Sequence, residues 1–109
     1  MQGGMMNVLV AISISPSGVG DKLSPYVAQA VKVIEDSGLP NRTNAMFTEI
    51  EGEWDDVMKV VKDAVMVLAE QGYRTGLVLK ADVRPGHSDT MHKKLDALGQ
   101  QLEKLKEKE

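Results

Sequence analysis

Asn44-Ala45-Met46-Phe47-Thr48-Glu49-Ile50-Glu51-Gly52-Glu53-Trp54-Asp55-Asp56-Val57-Met58 passes from an alternating strand straight into a helix. Glu51, Glu53, Asp55 and Asp56 crowd around that junction. A helix N-terminus favours negative charge, so part of this acidity is explained by the helix that follows. Glu51 stands apart because it lies on the strand side of Gly52. Alternation there sets it opposite in direction to Ile50, away from whatever Ile50 packs against.

Outward from this junction, the periods switch in a definite order. On the N-terminal side, residues from about Arg42 to Gly52 read as two short strands with little between them. Before them, Ser24-Pro25 offers an N-cap and a first-turn proline, and Val27, Ala30, Val31 and Ile34 form a helical stripe that Gly38 and Pro40 end. Earlier still, Asn7 to Ser15 alternates, with Val8, Val10, Ile12 and Ile14 on one face and Leu9, Ala11, Ser13 and Ser15 on the other. On the C-terminal side, Val57, Val61, Ala64, Val65 and Leu68 share one helix face, and Gly72 follows the helix end. Arg74 to Val83 alternates again. The order is β-α-β-β-α-β, which predicts an α+β, ferredoxin-like antiparallel sheet with both helices on one face.

The opposite face is the place to look for function. It is expected to carry Ser13 and Ser15, Glu49 and Glu51, and Lys80 and Asp82, with the first strand between the other two. Carboxylates accept from amino groups and hydroxyls donate or accept, so the set suits a small, polar, nitrogen-rich ligand. An ordinary solvated sheet face has the same spacing, and both readings stand at this point. Leu9, Ala11 and Val78 on that face favour packing against another subunit, with pockets where the polar groups gather.

A further helix is expected at the C-terminus. Ser88 can cap it, and Met91, Leu95, Leu98, Leu102 and Leu105 recur at steps of four and three. This narrow stripe docks either on its own domain or on another copy. A single domain over 7–105 follows, with 1–6 and 106–109 as flexible ends.

Composition narrows the function classes. The chain has 109 residues, 42% of them hydrophobic and 27% charged, as in an ordinary globular domain. A net charge of −3, no Lys/Arg stripe and a single Phe argue against a nucleic-acid partner. No apolar run is long enough to span a membrane. Met1 to Met6 lacks the basic and hydrophobic regions of a secretory signal, so a cytoplasmic location is expected. The absence of cysteine removes disulfides, thiolate catalysis and Cys-ligated zinc. His87 and His92 are five apart, which is not the i, i+4 pair of a helical metal site, so no metal is expected. Gly18-Val19-Gly20-Asp21-Lys22 lacks the spacing of a dinucleotide or phosphate loop and reads as a turn, and no cofactor is implied. No nucleophile with an evident base stands out, so the chain is not read as an enzyme.

Asn44-x-Met46-x-Thr48-x-Ile50-Glu51-Gly52-Glu53-Trp54-Asp55-Asp56-Val57-Met58, with Ser13-Ile14-Ser15-Pro16, Tyr26-Val27 and Lys80-Ala81-Asp82, resembles the small ferredoxin-like thiamine-binding proteins related to the bacterial thiamine/hydroxymethylpyrimidine-binding protein. The resemblance covers Val8 to about Leu95. It implies a homo-oligomer, commonly a tetramer, that holds thiamine (vitamin B1) or its pyrimidine precursor near subunit contacts. Phe47 stands where many relatives have a small residue, and Val83-Arg84-Pro85-Gly86 where they have an acidic-then-basic run.

Carried over residue by residue, Glu51 would accept from the aminopyrimidine, and Ser13 and Ser15 would supply hydroxyl contacts. Asn44 and Thr48 would complete the polar edge, Phe47 or Trp54 would lie against a ring, and Lys80 and Asp82 would line the same face. Asn44 and Thr48 serving only the strand turn, and Trp54 only covering a helix start, are the structural alternatives. The expected function is non-enzymatic binding of thiamine or hydroxymethylpyrimidine at a subunit interface. An enzyme acting on a small metabolite at that interface, or a ligand-sensing regulatory module, is the alternative.

Overall fold

The structure, a computed structural model, describes residues 6–108. Its elements run β1 (Met6–Pro16), α1 (Ser24–Asp36), β2 (Asn41–Thr43), β3 (Thr48–Glu53), α2 (Trp54–Ala69), β4 (Thr75–Pro85) and α3 (Thr90–Glu107). The four strands form one antiparallel sheet in the order β2-β3-β1-β4. This is the expected α+β, ferredoxin-like arrangement with an added C-terminal helix. Of the ends expected to be flexible, residues 1–5 and 109 lie outside the described residues; Met6 opens β1, and Lys106 and Glu107 belong to α3.

The alternation of β1 decides how the layers stack. Val8, Val10, Ile12 and Ile14 are buried with Ala30 and Ile34 of α1, Ile50 of β3, and Val57, Val60, Val61, Ala64 and Leu68 of α2. Burying such side chains is worth about 1.5–3 kcal/mol each, and this one layer between sheet and helices holds most of the fully buried apolar groups. Leu77, Leu79 and Val83 of β4 also point toward the helix layer but stay partly exposed, because β4 is an edge strand that the two helices do not fully roof.

Helix starts depart in detail from the sequence expectation. Leu23, not Ser24, occupies the N-cap of α1, and its carbonyl accepts from the amides of Tyr26 at 2.9 Å and Val27 at 3.0 Å. Pro25 sits in the first turn as expected, where a missing N–H costs nothing.

Cross-strand register fixes the face turned away from the helices. One row runs Glu51, Leu9, Asp82; the next runs Glu49, Ala11, Lys80; Ser13 lies opposite Val78 and Ser15 opposite Gly76. The polar set picked from the sequence therefore does share that open face. It is not wholly uncovered, because the first turn of α3 meets it at the Glu51 row.

The core assignment has a direct check. Leu68→Ala should lower the unfolding free energy by about 2–5 kcal/mol in a denaturant titration. A change under about 0.5 kcal/mol would mean that α2 does not seal the sheet as described.

Candidate functional site: a cleft beside the free end of β1 and an anchored helix

β1 pairs with β4 over its whole length, from Met6 to Pro16, but with β3 only from Asn7 to Ile12. Past Ile12 the β3 side of β1 has no strand beside it among the described residues. The β2–β3 hairpin tip, closed by a 2.8 Å bond from the Asn44 amide to the Phe47 carbonyl, stands off from β1 there, and the start of α1 forms the other wall. Between them lies an open cleft of about 520 Å³. Its polar lining residues are Ser13, Ser15, Ser24, Thr43, Asn44 and Thr48, and Val27, Val31, Met46 and Phe47 are among its apolar ones. Phe47 is 37% exposed at the rim, so part of its ring is free to meet a ligand. Thr48 is buried and its hydroxyl lies 3.1 Å from that of Thr43, so it both lines the cleft and ties the hairpin together.

The remaining candidates lie elsewhere. Trp54 is the first residue of α2 and half exposed, away from the cleft lining. Lys80 stands on the open face opposite Ala11. Asp82 forms an ion pair with Lys94 of α3, which holds its carboxyl below the usual carboxylate range, with the Arg84 and Lys80 charges adding to the effect.

Glu51 differs most from expectation. It points to the open side but is only 3% exposed, and its carboxylate is already occupied within the chain. Oε2 accepts from the Thr90 amide at 2.6 Å and from Asn7 Nδ2 at 2.8 Å, and Oε1 accepts from the Met91 amide at 2.9 Å. Asn7 Nδ2 also donates to Thr90 Oγ1 at 3.2 Å. These two amides belong to the first turn of α3, where N–H groups lack helical partners. Burial pushes the Glu51 carboxyl up, but the bonds from Met91, Asn7 and Thr90 outweigh it, and the pKa lies below the ordinary glutamate value. Met91 is 5% exposed at the same place.

Ser88, the expected cap, does not serve. The N-cap is Asp89, held in the left-handed region at φ 54°, with Oδ1 2.6 Å from His92 Nδ1. Its side chain is thus turned to the histidine, and Glu51, from another element, supplies the capping oxygens. Beyond its first turn α3 leaves the sheet: Leu95, Leu98, Leu102 and Leu105 are all exposed.

Asn7, Thr90, Met46 and the α1 wall were not among the sequence candidates. Asn7 carried a faint signal, a polar residue at the head of an otherwise aliphatic strand. Among the described residues no cluster of His, Asp and Glu is arranged to hold a metal ion, and no helix is long and apolar enough to cross a membrane.

The sequence profile described as Thiamine-binding protein matches residues 10–99. The chain belongs to the thiamine-binding protein family. A UPF0045 protein of Mycobacterium bovis is 50% identical over 91 residues, covering 83% of this chain and 89% of the relative. The UPF0045 protein MJ1052 of Methanocaldococcus jannaschii is 35% identical over 96 residues, covering 88% of this chain and 96% of that one. The crystal structure of the Methanocaldococcus protein superposes with a TM-score of 0.80 over 87% of this chain and 98% of that chain. A candidate thiamine biosynthesis/salvage protein of Thermotoga maritima is similar at a TM-score of 0.63 and 28% identity, covering 70% of this chain and 82% of that one.

Within this thiamine-binding family member, the Glu51 geometry makes a stability prediction with a definite sign. Glu51→Gln sets an NH₂ group against N–H donors and should cost about 1–3 kcal/mol. The folded-state pKa is depressed, so the stabilisation is present above the unfolded glutamate value and is lost as pH falls through the lower folded value. Thermal melts of wild type and Glu51→Gln should therefore differ at neutral pH and converge in acid. A gap that stays constant down the acid limb would remove the carboxylate from the account.

Proposed function

We propose that this protein binds thiamine or hydroxymethylpyrimidine without turning it over, in the cleft beside the free end of β1. The observation that carries this reading is the convergence of Ser13, Ser15, Asn44, Phe47 and Thr48 on one cleft of about 520 Å³. That volume falls in the range of small-molecule sites, which are mostly apolar with a few placed polar groups. The aminopyrimidine meets the hydroxyls and Asn44, and Phe47 offers its face to the second ring, where the thiazolium cation of thiamine gains from a cation–π contact. Glu51 acts at one remove, by holding α3, and Lys80 and Asp82 belong to the surface around the site. The family match and the Thermotoga relative support a thiamine compound as the ligand.

The same proposal makes the protein a homo-oligomer, with a tetramer built from dimers as the simplest closed form. Val78 is 59% exposed directly across from Ser13, so a subunit covering the open face would also close over the cleft. The outer edge of β4 is free of any strand among the described residues, and its sequence suits self-pairing. An antiparallel contact centred on Ala81 sets Lys80 against Asp82 of the partner subunit and Leu79 against Val83 of the partner subunit. The leucine stripe of α3 offers a second surface. A cytoplasmic, small-molecule role without a nucleic-acid partner fits the composition.

Titration calorimetry with thiamine, its phosphates and hydroxymethylpyrimidine tests the assignment. Phe47→Ala should weaken binding by about 0.5–2 kcal/mol and Ser13→Ala by about 0.5–1.5 kcal/mol, while Glu53→Gln leaves it unchanged. Unaltered binding by both cleft variants would move the site elsewhere. Conversion of the ligand during the titration would favour an enzyme, and a ligand-dependent mass by light scattering would favour a regulatory module.

A further inference from the structure

The direction of each backbone amide in the sheet follows from a few bonds. The Glu51 amide donates to the Pro40 carbonyl at 3.0 Å, away from β1, and the Phe47 carbonyl accepts from Asn44, also away from β1. Backbone direction alternates along a strand, so Thr48, Ile50 and Gly52 turn their N–H and C=O groups toward β1. Their register partners Ile12, Val10 and Val8 answer them. The even-numbered residues of β1 therefore bond toward β3 and the odd-numbered ones toward β4. The Ser17 amide donates to the Arg74 carbonyl at 2.7 Å, on the β4 side, in agreement.

Ile14 is next in the even series, and β3 has ended. Its N–H and C=O point into the cleft, with no backbone partner among the described residues, while its side chain stays in the core. The hydroxyl-bearing residues Ser13 and Ser15 flank it, and Met46 and Phe47 stand across the gap. A strand residue in this position normally exchanges two hydrogen bonds with a residue opposite.

We propose that the unpaired backbone of Ile14 is the recognition element of the cleft, and that it takes a planar heteroaromatic ring carrying an amino group beside a ring nitrogen. The amino N–H donates to the Ile14 carbonyl and the ring nitrogen accepts from the Ile14 amide. The ligand thus completes the sheet where β3 stops, with its faces against Phe47 and the aliphatic wall of α1. This rests on the thiamine reading above and deepens it: it names the edge of the ligand that is read, and explains how a site with few charged groups can select an aminopyrimidine. A ring nitrogen without its amino neighbour leaves the carbonyl unanswered, and a buried polar group without a partner is what discriminates most strongly between close analogues.

Hydroxymethylpyrimidine and its deaminated analogue, with hydrogen in place of the amino group, are titrated into the full-length protein. Backbone amide exchange is then followed by NMR. Hydroxymethylpyrimidine should slow exchange at Ile14 by tenfold or more and leave Ser13, already turned to β4, unchanged. The deaminated analogue should bind roughly tenfold more weakly or less tightly still. Replacing Ile14 by its α-hydroxy acid removes the N–H with the side chain retained. It should weaken hydroxymethylpyrimidine in the same way, with the melting temperature lowered only by the weaker bond that the resulting Ser13 ester carbonyl accepts from β4. If hydroxymethylpyrimidine binds but the Ile14 amide does not respond, or the two compounds bind equally, the backbone role is overturned and the thiamine reading stands. Failure of thiamine and hydroxymethylpyrimidine to bind at all overturns both.

Discussion

The two sides of β1 are paired over different lengths, and the features described above follow from that inequality. Eleven residues of β1 run beside β4, whereas β3 accompanies it only through Ile12. The longer pairing makes a stiff central strand whose alternation divides the molecule into a helix-covered core and an open face. The shorter one ends inside the domain and leaves a stretch of strand with a wall on either side. A β3 extended by two residues would seal the cleft, and the hairpin tip that now forms its rim would become sheet.

Much of this was legible in the chain. The order of periods gave the element order, and the alternation of β1 put Val8, Val10, Ile12 and Ile14 on the core side and the serines on the other. Short-range chemistry of this kind needs only the side-chain period and the turn residues. Ser13, Ser15, Asn44, Phe47 and Thr48, which the family resemblance named along with Glu51, Trp54, Lys80 and Asp82, line one cleft because all five lie at one end of neighbouring strands.

What stayed hidden depends on distance and on strand ends. The bond from Thr90 to Glu51 spans 39 positions in sequence, and nothing local to Glu51 distinguishes a ligand's amino group from a helix's first amides as its partner. Both present clustered N–H donors. Ser88 satisfied the composition rule for a cap, but Asp89 intervened with a left-handed backbone and a side chain turned to His92. The exposed backbone at Ile14 is invisible to any reading of side chains, and it depends on whether β3 begins at Thr48 or two residues earlier, a boundary that periodicity does not resolve.

The attachment of α3 at a single turn has a mechanical meaning. The helix is fixed where Glu51 grips the Thr90 and Met91 amides and Lys94 meets Asp82, and beyond that point Leu95, Leu98, Leu102 and Leu105 are exposed among the described residues. At about 1.5 Å per residue, Leu105 stands about 22 Å from that grip. A tilt of about 10° at the anchored end would therefore carry Leu105 sideways by about 4 Å, roughly three-quarters of the pitch of a helix. The molecule has the form of a lever pivoted on two neighbouring carboxylates of the sheet, Glu51 and Asp82, so a tilt that the pivot hardly registers would be magnified at the leucine stripe.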